Sequence, residues 1–197
     1  MKWVPGGPLS AWGADMRKKS LLRADIYVPG VAEIDLNELW GKGIRGILLD
    51  LDNTLTLWRG MEVSAAIQEW LRQAKERGFR LCILSNSRSA SRVEPIERLL
   101  AVRALHLSGK PRPSSFRKGC RELNLPKEQV AMVGDQLFTD ICGGNLFGLL
   151  TILTEMIDPH ELWGTRHIAR PLERLVRAWQ RKIDRRKILK LASEKTN

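Results

Sequence analysis

Apolar residues along the chain gather into short, dense runs set between longer amphipathic stretches. The runs at 44–51, 79–84, 104–107, 129–133 and 149–153 are too short for helices and too continuous for half-exposed strands. They read as strands buried on both faces. Helical spacing fills the gaps. Asp35 is placed to cap a helix that reaches Trp40 and stops at Gly41. Ser64 opens a second helix with Ile67, Leu71 and Ala74 on one face and Gly78 as its end. Ser89 or Ser91 opens a third, running through Leu100. Pro113 starts a fourth, which reaches about Leu123, and residues 139–147 form a fifth. Strands alternating with helices predict an α/β fold, a three-layer sandwich with a parallel sheet between helices.

The ends differ from this body. Residues 1–30, with Trp3 and Trp12, read as a loose N-terminal basic arm, and residues 31–170 as the domain proper. Residues 171–197 read as a basic helix and tail. Leu172, Leu175, Val176, Trp179 and Ile183 form one stripe opposite Arg174, Arg177, Arg181 and Arg185, and the phase breaks beyond Ile183.

Charge sharpens this division. Of the net +11, residues 1–23 hold +4 (five basic against one acidic) and residues 170–197 hold +7 (ten against three), whereas 24–169 balance 18 basic with 18 acidic. Two basic ends on a neutral body suit a polyanion, either an anionic membrane surface or, as the weaker alternative, nucleic acid. No apolar run approaches the roughly 18 residues of a membrane span. Pro5, Gly6, Gly7 and Pro8 stand where a signal peptide would need an apolar helix. A soluble, cytoplasmic protein, peripheral on the inner membrane face, is therefore expected. Cys82, Cys120 and Cys142 are odd in number and widely spaced, which fits neither a disulfide framework nor a CxxC zinc site.

Candidate chemistry lies at the strand ends, where open α/β sheets place their sites. Asp50 and Asp52 close the first strong run. Two carboxylates there repel, and a divalent cation with a preference for hard oxygen ligands would relieve the repulsion. A solvated Asp-Asn turn is the plainer alternative for this pair alone. Ser85-Asn86-Ser87 follows the second run, with hydroxyl and amide groups able to hold phosphate oxygens. Lys110, after the third, could neutralise a transferring phosphoryl group. Gly134-Asp135 and Asp140 follow the fourth. Each piece has an ordinary explanation; their order, each after an expected strand, does not.

That order resembles the haloacid dehalogenase superfamily of aspartate-nucleophile phosphatases, over residues 44–153. The matching motifs are Asp50-x-Asp52-x-Thr54, Ser85, Lys110, and Gly134-Asp135 with Asp140. The resemblance implies a Rossmann-like fold and a Mg2+-dependent phosphatase. Asp50 would become a phosphoaspartate and Asp52 would act as acid and base. The metal would sit on the Asp50 carboxylate, the Asp52 backbone carbonyl and Asp135. Ser85, Asn86, Lys110 and Thr54 form the phosphate-binding set, with Thr54 better suited to bracing its loop. Asp140 would be an outer carboxylate at the metal or the partner that fixes Lys110. The segments 55–64 and 85–110 leave no room for an inserted cap domain. An open site of this kind suits a large substrate, and Trp58 either lines the mouth or covers the loop from below.

Gly134-Asp135-Gln136, Thr139-Asp140, Gly143-Gly144-Asn145 and Thr151-Ile152-Leu153, with Tyr27-Val28-Pro29 upstream, are similar to the capless subfamily that includes bacterial and organellar phosphatidylglycerophosphate phosphatases. Leu146 stands where that subfamily often has an arginine. The implied substrate is an anionic phospholipid, phosphatidylglycerophosphate. The alternatives are a soluble phosphate ester, a nucleic-acid 3′-phosphate, or a non-catalytic scaffold binding RNA or protein. The spacing Gly41-x-Gly43-x-x-Gly46 precedes a strand, where dinucleotide binding needs it to follow one. The scattered His106, His160 and His167 form no HExxH site.

Overall fold

The computed structural model describes residues 20–58 and 60–157. Six strands form one parallel sheet: β1 (Ile26–Val28), β2 (Gly46–Leu49), β3 (Arg80–Leu84), β4 (Arg103–Leu105), β5 (Val130–Gly134) and β6 (Leu150–Thr154), in the order β1-β6-β5-β2-β3-β4. Between them run α1 (Leu36–Gly41), α2 (Ala65–Glu76), α3 (Ala90–Leu100), α4 (Pro113–Leu123) and α5 (Cys142–Phe147). A single π-helical turn, Leu137–Ile141, leads into α5.

Alternation along the strands decides the layers. Ile47, Leu49, Ile83, Ala131, Val133 and Ile152 face one way, against Leu39 of α1, Ile67, Trp70 and Leu71 of α2, and Val93 and Ile96 of α3. Leu48, Cys82, Leu84, Val130 and Met132 face the other, against Phe116, Cys120 and Leu123 of α4. The fold is thus the expected Rossmann-like sandwich. Among the described residues, no extra domain interrupts 50–64 or 85–89.

The local signals act as expected. Asp35 accepts from the Asn37 and Glu38 N–H groups at 2.7 and 3.2 Å, and Ser64 Oγ accepts from Ile67 N–H at 3.3 Å. One element departs from expectation. The end of the supposed arm, Ile26–Val28, is an edge strand paired in parallel with β6. Three residues ahead of Pro29 are too few to show a period. Side chains hold the preceding segment in place. Asn145 Nδ2 donates to the Leu21 and Arg23 carbonyls, and Asp25 Oδ2 accepts from Thr151 N–H at 2.8 Å. Asn145 and Thr151 therefore fasten the chain to the sheet edge, and Leu146 beside them is exposed. Residues 1–19 of the basic arm and the basic helix and tail expected over 171–197 lie outside the described residues.

Candidate active site

The C-terminal ends of β2, β3, β4 and β5 bring the sequence-predicted residues to one edge of the sheet. Asp50 ends β2 and donates its N–H to Val133 O at 2.9 Å. Asn53, buried with φ 63°, turns the chain back, and its N–H reaches Thr56 O at 2.8 Å. Asn tolerates that left-handed backbone better than most residues.

Lys110 is the hub. Its ammonium, with 1% of the side chain exposed, lies 2.5 Å from Asp50 Oδ1 and forms an ion pair of 2.8 Å with Asp140 Oδ1. Asp140 Oδ2 in turn accepts from Gln136 N–H at 3.1 Å. Both Asp140 oxygens thus have partners, which suits the role of fixing Lys110. Glycine at 134 makes this approach possible, because a Cβ there would run into the Asp140 carboxylate. Gly134→Ala should lower stability by about 1–3 kcal/mol, an ordinary overpacking cost, and reduce turnover with it. Urea unfolding checks this, and an unchanged midpoint would mean that Asp140 moves aside freely.

The serine loop after β3 divides its labour. Ser85 is buried, and its Oγ accepts from Ser87 N–H at 3.0 Å, which leaves its own O–H to donate. Asn86 does something else. Its Oδ1 accepts from Ser108 Oγ and from the Gly109 and Lys110 N–H groups at 2.8, 3.0 and 2.9 Å, while its Nδ2 donates to Lys110 O. Its amide clips the Lys110 loop. Thr54 Oγ1 donates to Asp135 Oδ1 at 3.4 Å, so it braces that carboxylate. Gly143 lets α5 pack against Phe116 and the backbone of Pro111, next to Lys110.

Electrostatics make the cluster incomplete as it stands. Asp50, Asp135 and Asp140 are buried, with carboxylate oxygens within 4.8 Å of one another. Burial pushes the Asp50 carboxyl up to about 7; Lys110 opposes this, and Asp140 and Asp52 add to it. Burial also works against the Lys110 charge, yet Asp140 and Asp50 hold its pKa above the ordinary value. Lys110 is shared by Asp50 and Asp140, and Asp50 Oδ2 is buried without a hydrogen-bond partner. A divalent cation on hard oxygen ligands fits the gathered carboxylates and the orphaned oxygen. The Asp52 side chain stands apart from this trio. It pairs with Arg92 of α3, with Arg92 Nη2 2.5 Å from Oδ1 and Nη1 3.1 Å from Oδ2. Nothing in the sequence pattern pointed to Arg92, which lies 40 residues away on a helix read only for its apolar face.

Comparison with known proteins agrees with this geometry. A family profile described as haloacid dehalogenase-like hydrolase matches residues 62–148. The probable phosphatase YqeG of Bacillus subtilis is 32% identical over 167 residues, covering 85% of this chain and 96% of that protein. The chain belongs to the haloacid dehalogenase-like hydrolases. Among other members, the chloroplastic phosphatidylglycerophosphate phosphatase 1 of Chlamydomonas reinhardtii is 32% identical over 146 residues, covering 68% of this chain and 53% of the relative. The chain thus spans about half that protein's length. A crystal structure of an uncharacterized protein from Listeria monocytogenes shares the haloacid dehalogenase fold, with a TM-score of 0.50 and 18% identity, over 60% of this chain and 86% of that one. The profile match begins after Asp50, so for this hydrolase it is the strand-end geometry that joins Asp50 to Lys110 and Asp135.

Proposed function

We propose that the chain is a Mg2+-dependent phosphatase that hydrolyses a lipid phosphomonoester, phosphatidylglycerophosphate, to phosphatidylglycerol. The observation that carries this reading is the buried Asp50–Lys110–Asp140 arrangement beside Asp135, at an uncapped sheet edge. The relatives named phosphatidylglycerophosphate phosphatase support the substrate. So does the apolar character of the loops at that edge. Leu57 and Met61 after β2, Leu107 after β4 and Ile157 after β6 are all exposed large hydrophobics. No helix among the described residues is long and apolar enough to cross a membrane. The lipid would therefore be reached from the bilayer surface, with the basic ends adding about 1 kcal/mol per Lys or Arg held near anionic lipid.

In this reading Asp50 attacks phosphorus along the line of the leaving oxygen and carries the phosphoryl group as an acyl phosphate. Asp52 gives a proton to the leaving alcohol and later takes one from the water that cleaves the intermediate. Ser85 and Lys110 hold the phosphoryl oxygens, and Asn86 keeps Lys110 in place. Mg2+, held by the Asp50 and Asp135 carboxylates and the Asp52 carbonyl, supplies the charge that lets an anionic nucleophile approach an anionic phosphate. Purified protein should release phosphate from phosphatidylglycerophosphate in mixed micelles with Mg2+, and excess EDTA should stop it. Turnover of a 3′-phosphorylated oligonucleotide with none of the lipid would overturn the substrate.

A further inference from the structure

Arg92 raises a question that the phosphatase mechanism leaves open. Its side chain and that of Asp52 are each only 13% exposed. Both Nη atoms engage the carboxylate, and Nη2 also donates to Gly60 O at 3.2 Å, with Thr56 Oγ1 3.5 Å away. Its Nε is buried with no hydrogen-bond partner. Asp52, the proton donor, must stand beside the leaving-group oxygen. Arg92 therefore places a second cation on the leaving-group side of the site, beyond Asp52, while Lys110 holds the phosphoryl side at Asp50. Chelation of both Asp52 oxygens is also a poor working arrangement, since one of them must turn to the leaving oxygen. A guanidinium nitrogen that gives up a carboxylate oxygen needs another acceptor in exchange, or its N–H is left unsatisfied, and an anion is the strongest such acceptor.

We propose that Arg92 is a subsite for an anion carried by the leaving group, with a phosphodiester as its chemical class. At rest the guanidinium is parked on Asp52. A substrate whose leaving alcohol bears its own phosphodiester brings that anion to Arg92, which then lets go of Asp52 Oδ2, the longer of its two contacts. Asp52 is released only when a suitably charged leaving group is present. The site thereby favours a phosphomonoester with a second anion a few atoms away over a simple one such as glycerol 3-phosphate. A planar guanidinium suits a phosphodiester because its paired donors match two phosphate oxygens; a lysine offers only a point charge.

This inference rests on the phosphatase reading, and kinetics on two substrates separate the two. The wild-type chain, Arg92→Gln and Arg92→Lys are compared on glycerol 3-phosphate and on a short-chain, monomeric phosphatidylglycerophosphate. The variants should lose a few-fold on glycerol 3-phosphate, because Asp52 loses the Arg92 contact. Arg92→Gln should lose about 100-fold in kcat/KM on the diester-bearing substrate, the scale of charge-assisted hydrogen bonds. Most of that loss should appear in KM, with Arg92→Lys in between. Equal losses on both substrates would reduce Arg92 to a residue that only positions Asp52 and overturn the subsite; so would unchanged discrimination. Arg92→Lys keeps the charge, so its thermal midpoint and its turnover of the simple ester guard against reading a folding defect as lost recognition. If the wild type hydrolyses neither substrate, the phosphatase reading itself fails and the subsite falls with it.

Discussion

Asp50→Asn is expected to abolish turnover and, in metal-free protein above pH 7, to make the fold more stable. The first effect follows from losing the proposed nucleophile; removing a nucleophile of this kind costs at least ~10^3-fold. The second follows from the cost of the ionised carboxylate. Burial lifts the Asp50 pKa from 3.8 to about 7, so between those values the folded state holds a proton that the unfolded state has released. Stability from this group therefore falls as pH rises from about 4 to about 7, and then levels off. The full cost is at most about 4 kcal/mol. The asparagine variant escapes it, and Lys110 keeps Asp140 as a partner. Urea unfolding in EDTA at pH 4 and pH 8 should show wild type and variant close at the lower pH and the variant ahead by about 1–4 kcal/mol at the higher. Mg2+ should close the gap by stabilising only the wild type. A variant that is no more stable at pH 8 would mean that the Asp50 charge is not strained.

Lys110→Met should have the opposite sign. It removes the ammonium that pairs with both Asp50 and Asp140 and leaves those carboxylates buried against each other. Breaking a buried pair from one side costs about 3–5 kcal/mol. The loss should be largest near pH 8 and shrink as the pH drops and the carboxyls take up protons. Turnover should fall by at least ~10^2-fold even at saturating Mg2+, since the metal cannot replace a donor on the phosphoryl oxygens. Thermal melts across pH, read beside turnover, check both; a melting midpoint within a degree of wild type would show that Lys110 is not the keystone of the cluster.

The way these residues converge explains what the sequence made legible. Asp50, Ser85, Lys110 and Asp135 stood out because each follows an apolar run that becomes a parallel strand, and parallel strands bring their C-terminal ends to one edge. The pairing of Arg92 with Asp52 is of another kind. It depends on the rotation of α3 about its axis, which the apolar face of that helix fixes only through packing. Asn86 could be placed near the site by order alone, but whether its amide faced substrate or the Lys110 loop was a matter of side-chain direction. Asn145 and Thr151, part of the subfamily resemblance, also fasten residues 21–25, a role that their order in the sequence did not show. The strand at Ile26–Val28 escaped notice because three residues carry no period; its pairing comes from β6.

That edge strand bears on how the chain reaches its native state. Among the described strands β1 is synthesised first and pairs with β6, the last of them, its Asp25 and Thr151 bonded across 126 residues of sequence. Contacts over such separations form late, after loop closure has been offset by closer pairings. On a ribosome β1 must wait until β6 has emerged. Until β1 docks, β6 has one unpaired edge, the kind of surface on which a second chain can add a strand. Vectorial synthesis therefore leaves β1, made before the other described strands, as the last of them to dock, and refolding yield at high protein concentration should depend on how quickly it does so.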